Sequence, residues 1–155
     1  MLSEFWPVIL TTMLPVAELR GGIPLGFALG LDPLAVVLVA FIVNCLVFFP
    51  IFFGLRLLYK DVLVRWDFFH RLMNRAHQKA AGHVERWGIL GLAAFVAVPL
   101  PVTGAWTGTA IAWLLGLEWK RSFLSICLGV LVASTIVTAA SWGLMFSLGN
   151  GINGG

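Results

Sequence analysis

Apolar residues dominate five stretches of the chain, and the way each stretch is interrupted predicts its element. Residues 33–55 and 122–148 contain no charged side chain. The first is 23 residues long, about 34 Å as a helix, enough to cross a hydrocarbon core of about 30 Å. The second is long enough to span with some tilt. Residues 4–31 and 89–117 are also apolar, but polar, proline- and glycine-rich sequence divides them, "LPVAELRGGIP" at 14–24 and "PLPVTGAWTG" at 99–108. Each leaves two apolar arms of about ten residues, and ten helical residues reach only about 15 Å. Residues 59–86 follow a third pattern. Val62, Trp66, Phe69, Met73, Ala76, Ala80, Val84 and Trp87 recur at helical spacing, with most Arg, Lys and His residues elsewhere around the helix. This predicts an amphipathic helix lying in the membrane interface.

The interrupted segments repeat each other. A shift of 86 residues lays "LPVAELRGGIPLGFALGLD" (14–32) on "LPVTGAWTGTAIAWLLGLE" (100–118) without a gap, with seven of 19 positions identical. Each copy is followed by an uninterrupted apolar run, so the repeat unit is an interrupted segment plus a span.

Composition fixes the solvent. Of 155 residues, 60% are hydrophobic and 11% charged, with a mean hydropathy of +0.98. Soluble domains carry about a quarter charged residues, so the chain is expected to be an all-α integral membrane protein. The net charge of +3 does not point to nucleic acid. The N-terminus "MLSEFW" lacks the basic region and cleavage site of a signal peptide. Cys45 and Cys127 lie in apolar runs and are expected to pack as free thiols, without a disulfide or metal site. His70 and His77 share a helical face but no third ligand accompanies them, so no metal and no cofactor is expected.

The placement of basic residues decides whether the interrupted segments cross the membrane. Arg56, Lys60, Arg65, Arg71, Arg75, Lys79 and Arg86 surround the central segment, and Lys120 and Arg121 follow the second interrupted one. All nine share one face only if both interrupted segments are re-entrant hairpins. The expected architecture is an inverted-topology repeat of two hairpins, each followed by a transmembrane helix. An amphipathic cytoplasmic helix joins the halves, and both termini lie outside.

Non-helical backbone at membrane depth is tolerated only where protein or a water-filled cavity satisfies it, which draws attention to the hairpin tips. In the first, Pro15 and Pro24 limit the helix, and Gly21 and Gly22 are expected to permit the turn. A second arm starting near Gly22 would aim its positive dipole end at the midplane. Arg20 adds a cation, and Glu18 a carboxylate able to neutralise it in part or to carry a proton; intramembrane ionisable residues are functional by default. The second tip offers Pro101, hydroxyls on Thr103, Thr107 and Thr109, the ring of Trp106, and turn freedom at Gly104 and Gly108. The competing reading of Glu18 and Arg20 is a salt bridge holding one hairpin shut. Asn44, Ser134, Thr135, Thr138 and Ser141 are expected to act as helix–helix glue, and Gly129/Ala133 and Ala139/Gly143 to let the second span pack closely.

"LPVAELRGGIPLG" together with "PLPVTGAWTGTAIAWLLGL" resembles the small multidrug export protein family of prokaryotes. That family is distantly similar to the DedA, or SNARE-associated, membrane proteins with paired re-entrant hairpins. The resemblance implies an inner-membrane transporter of an amphipathic substrate, and through the DedA-like proteins a lipid-linked phosphate or phospholipid moved with protons. Glu18 and Arg20 would be the acidic and basic hairpin residues. At the second tip, where DedA-like proteins carry further charges, this chain has Gly104 and Trp106. The bilayer, the substrate and further copies of the chain are the expected partners, since two spans cannot easily screen two polar tips from lipid. The alternative is a non-transporting scaffold or assembly factor. An enzyme is not expected, because no HExxH, nucleophile elbow or intramembrane Cys/His pair is present.

Overall fold

A computed structural model describes residues 2–61, 84–99 and 103–153 of the chain. Among these residues every regular element is helical. A 3-10 turn, Leu2–Phe5, leads into α1 (Trp6–Met13). Helix α1 ends where Leu14 turns extended, at φ −72° and ψ 135°, because the ring of Pro15 disfavours helical backbone at the residue before it. The chain reverses through residues 14–17 and enters α2 (Glu18–Ala28). The first apolar run follows as α3 (Pro33–Leu46) and α4 (Phe48–Asp61). Beyond the amphipathic segment come α5 (Val84–Ala97), α6 (Ala105–Leu114) and the long α7 (Trp119–Asn153).

The expected spans are present, with one difference. Pro33–Leu58 and Trp119–Ser147, of 26 and 29 residues, are long and apolar enough to cross a membrane. The first, expected to be continuous over 33–55, breaks at Val47 between α3 and α4. Pro50 is the cause: it has no N–H to offer the Leu46 carbonyl, so proline sits in the first turn of a new helix. The flanking bonds, Val47 N–H to Val43 and Ile51 N–H to Val47, are kept at 3.1 and 3.4 Å. Of the interfacial helix expected over 59–86, residues 62–83 lie outside the described residues.

The repeat seen in the sequence recurs in the backbone. Helix α2 ends with Gly30 at φ +72° and α6 with Gly116 at φ +67°, a left-handed position that glycine adopts without a Cβ clash. The closing bonds match at the 86-residue spacing. Gly30 N–H reaches Phe27 and Gly116 N–H reaches Trp113, both at 3.0 Å; Leu31 reaches Gly26 at 3.2 Å and Leu117 reaches Ala112 at 3.0 Å. Both are Schellman closures, which satisfy the orphan carbonyls of a helix end. Asp32 then caps α3 by accepting the Ala35 N–H at 2.8 Å. Asp32→Ala should cost about 0.5–2 kcal/mol, read as a lower thermal midpoint in detergent, while Asp32→Ser should recover most of it.

Helices α1 and α2 pack on each other and on α3; α5 packs on α7; α6 lies against α4 and α7; and α2 also reaches α7. The shared core includes Val8, Leu19, Ile23, Val36, Ala40, Phe48, Val96, Ile126 and Val130. Aromatic rings join α4 to α7, with Phe49 and Phe53 lying 4.9 and 6.2 Å from Phe123 and Trp119. The outer faces are apolar as well. Leu34, Leu38, Ile42 and Leu46 form an exposed stripe on α3, and Leu124, Leu128 and Leu131 one on α7. A helix in water carries polar residues on its outer face; these faces suit hydrocarbon, as a membrane protein requires.

The small residues of α7 divide between two roles. Gly129 and Ala133 are buried, and a Cβ added at Gly129 would come within 2.7 Å of the Ala93 carbonyl oxygen and the Val96 Cβ. That pair is therefore used inside the chain, where α5 crosses α7. Ala139 and Gly143 face outward.

Candidate functional site

The start of α2 meets the end of α5 and the start of α6, and the residues that join them are among those that interrupt the apolar pattern. Helix α2 begins at Glu18, four residues earlier than expected. The turn is made by residues 14–17, closed by the Glu18 N–H on the Leu14 carbonyl, so Gly21 and Gly22 do not make it. They lie inside α2, where their missing side chains let α1 come close: a Cβ at Gly22 would overlap the Thr12 hydroxyl, and one at Gly21 would sit 3.0 Å from Thr11 Cγ2. Pro24 does not end the helix either. It lies within α2 and leaves the Arg20 carbonyl without its helical N–H partner.

Glu18 is buried and holds a left-handed backbone at φ +48°. Such a conformation costs a non-glycine residue about 1–3 kcal/mol and persists only where surroundings impose it. Here the surroundings are the start of α6. Glu18 Oε1 accepts the Trp106 N–H at 3.2 Å, and the Ala105 N–H also bonds the carboxylate. The first N–H groups of a helix have no partner within it, and Gly104, at the N-cap, has no side chain to supply one. Glu18 supplies that cap from the other hairpin. A Cβ on Gly104 would overlap the carboxylate, so glycine is what admits it.

Asn44 completes the arrangement. It is buried on α3, and its side chain bonds the Glu18 carboxylate while its Oδ1 has no partner. From sequence alone Asn44 is expected to act as helix–helix glue. The signal that marks it is that Asn44 is the sole amide in the first apolar run.

Arg20 turns to the other side of the same tip. Its Nη2 donates to the Val98 carbonyl at 3.1 Å and to Thr103 Oγ1 at 3.2 Å, and the Thr103 hydroxyl itself donates to Val98. Val98 follows the end of α5, where carbonyls are unpaired and the helix dipole is negative; α6 begins with its positive end. Two residues apart on one helix, a cation meets the carbonyl end of α5 and an anion meets the amide end of α6. In place of the salt bridge of the competing reading, the hydrogen bonds of the two side chains run to α6 and to the residues between α5 and α6. A Coulombic attraction between the two side chains remains.

Other expected site residues take different places. The Trp106 indole is half-buried and its Nε1 has no hydrogen-bond partner. Thr107 Oγ1 donates to the Gly104 carbonyl at 3.4 Å. Gly108 serves packing, since a Cβ there would press on Val96 at 2.6 Å. Thr109 is buried and bonds the Ala105 carbonyl of its own helix. Pro101 lies outside the described residues. Among those residues no group of three or more His, Cys, Asp or Glu could hold a metal ion, and Cys45 and Cys127 are free.

Beside the joint is a cavity of about 600 Å³, between α2 and α7. Arg20, Pro24 and Ala28 form one wall, Ile136, Ala140 and Leu144 the other, and Pro99 closes the end. Arg20 is the one charged residue on its described lining. A mainly apolar pocket with one cation and the Ser141 hydroxyl on its lining is suited to a molecule with an apolar body and an anionic group.

No curated protein and no solved structure matches the chain. Residues 18–136, from Glu18 to Ile136 on the cavity wall of α7, match the family model described as "Putative small multi-drug export protein". That match covers more than half of the sequence, and the chain belongs to this family.

Proposed function

We propose that the protein is a transporter that exports or flips an amphipathic substrate through the cavity between α2 and α7, with the substrate's anionic group at Arg20. The observation that carries this reading is Arg20 itself, the one charged residue on the described lining of a cavity whose other lining residues are apolar save for Ser141, in a chain whose outer faces suit lipid. A cation at membrane depth is costly to insert and is kept where it has work to do. The family description favours export. The resemblance to DedA-like proteins favours a lipid-linked phosphate or phospholipid, with Glu18 as the proton-carrying group.

The proposed frame is an inverted repeat in the inner membrane. Helices α1 and α2 form one re-entrant hairpin and α5 and α6 the other, since none reaches the length of the two spans. Residues 56–87 are cytoplasmic and both termini outside, which places the basic residues on the cytoplasmic face. A second copy of the chain covers the tips from lipid.

The test is flux through purified protein in liposomes, with acyl-labelled phosphatidylglycerol and a lipophilic cationic dye compared side by side. Phosphatidylglycerol should move faster than in protein-free vesicles. Arg20→Ala should slow it about tenfold or more, because a charge-assisted hydrogen bond is worth about 1.5–3 kcal/mol, while the variant still inserts and assembles. Undiminished flux in a well-folded Arg20→Ala protein would overturn the site assignment. No flux of either probe would favour a non-transporting scaffold.

A further inference from the structure

We infer that Glu18 and Arg20 form an electrically neutral latch between the hairpins, one that opens only when an anionic group and a proton are taken up together. The inference rests on the reading of Arg20 as the residue that receives the substrate's anionic group. In the structure each charge holds one end of the second tip: Arg20 the carbonyl end of α5 at Val98, Glu18 the amide end of α6 at Ala105 and Trp106.

Each ligand acts on one half. An anionic group in the cavity competes with the Val98 carbonyl and the Thr103 hydroxyl for the guanidinium, and it is the stronger acceptor because it is ionised. That frees the α5 end. A proton on Glu18 removes the charge that faces the helix dipole of α6, and frees the other end. A ligand shifts a conformational equilibrium only through its different affinity for the two states. Here the difference is built in, because the closed state already occupies the groups each ligand needs.

Charge balance couples the two events. The closed latch contains one carboxylate and one guanidinium, with net charge zero. Binding a monoanion alone leaves the site at minus one; binding a proton alone leaves it at plus one. Either is penalised at membrane depth. Binding both restores zero. No other charged group intervenes among the described residues, since Arg20 is the one charge acting on Glu18. Helix α3 contributes the neutral Asn44 and α6 its backbone N–H groups, while α1 and α7 bring no charge to the carboxylate. The proton comes from water and travels on Glu18, so a monoanionic substrate moves with one proton and no net charge crosses.

The test uses the full chain in phosphatidylcholine nanodiscs, with Cys45→Ala and Cys127→Ala and spin labels on Val16→Cys and Leu90→Cys, two exposed positions on different hairpins. The probe is acyl-labelled phosphatidylglycerol, a monoanion. The interlabel distance should stay fixed with acid alone or with probe alone at alkaline pH, and lengthen when both are present. Through the range where Glu18 titrates, apparent probe affinity should tighten about tenfold per unit fall in pH, the slope for one linked proton. Glu18→Gln, which imitates the protonated group, should open with probe alone and lose that slope. Flux in liposomes with the potential clamped by potassium and valinomycin should be the same at either polarity.

Probe affinity independent of pH in the wild-type protein would overturn the latch, and so would flux that responds to the clamped potential. The wild-type titration decides the matter even if Glu18→Gln fails to fold. The two readings separate cleanly. A latch that opens as described without accelerating lipid movement would leave the coupling standing and remove the transport function. Flux indifferent to pH would do the reverse.

Discussion

Replacing Gly104 with alanine is expected to break the joint between the hairpins, although it adds a single methyl group. The backbone there is extended, at φ 168° and ψ −169°, which alanine adopts without strain, so only space is tested. The new Cβ would occupy the volume of the Glu18 carboxylate. Expelling the carboxylate strips the α6 N-terminus of its cap and leaves a buried charge without its donors. Breaking one side of such a buried charged contact costs on the order of 3–5 kcal/mol. In a Glu18→Ala background that volume is vacant, and Gly104→Ala should then be nearly neutral. The measurement is a double-mutant cycle on thermal unfolding in detergent, where coupling of about 0.5–3 kcal/mol marks residues in contact. Additive losses would mean that the carboxylate does not occupy that space in the membrane.

The second large effect is expected where α5 crosses α7. Gly129→Val should fail to fold or unfold well below the wild-type protein, because its side chain would meet the Ala93 carbonyl as well as Val96, and backbone cannot swing aside as a side chain can. Overpacking a core by a methylene or two costs about 1–3 kcal/mol, and occasionally more. Gly143→Ala, four turns further along the same helix, should be tolerated and even stabilising by up to about 1 kcal/mol through helix propensity, since a Cβ there meets nothing within 4 Å among the described residues. Both should be read by the fraction of protein remaining monodisperse after a heating series. If Gly143→Ala instead lowered stability in the assembled protein, the outward pair Ala139 and Gly143 would lie in a contact between copies.

What the sequence made legible followed from uninterrupted pattern. The spans near 33–55 and 122–148 were readable because no charged residue competes with their hydropathy, and the two halves aligned at 86 residues end their helices α2 and α6 in the same way. The break at Val47 was less visible, although Pro50 was in plain view, because hydropathy reports which residues prefer lipid and not which backbone bonds a proline removes. At the interruptions the polar residues stood out, but not their partners. Glu18 and Arg20 lie two apart, and proximity in sequence suggested a pair. The long-range contacts, to Val98, Thr103 and the start of α6, depend on how hairpins pack. Glycine was the other blind spot. At Gly21, Gly22 and Gly104 the sequence suggested freedom to turn, whereas the fold uses glycine for absence of bulk.

The fit of Glu18 against Gly104 also bears on how far the two halves of the repeat can be alike. Positions 18 and 104 are equivalent under the 86-residue shift, so the carboxylate rests on its own counterpart. In an assembly of two identical half-length chains, a residue touching its symmetry mate lies on the two-fold axis and must be the same residue on both sides. Two glutamates there would collide and repel; two glycines would leave both helix ends uncapped. One of each is closed to a pair of identical halves related by such an axis, and open only where the two halves differ in sequence.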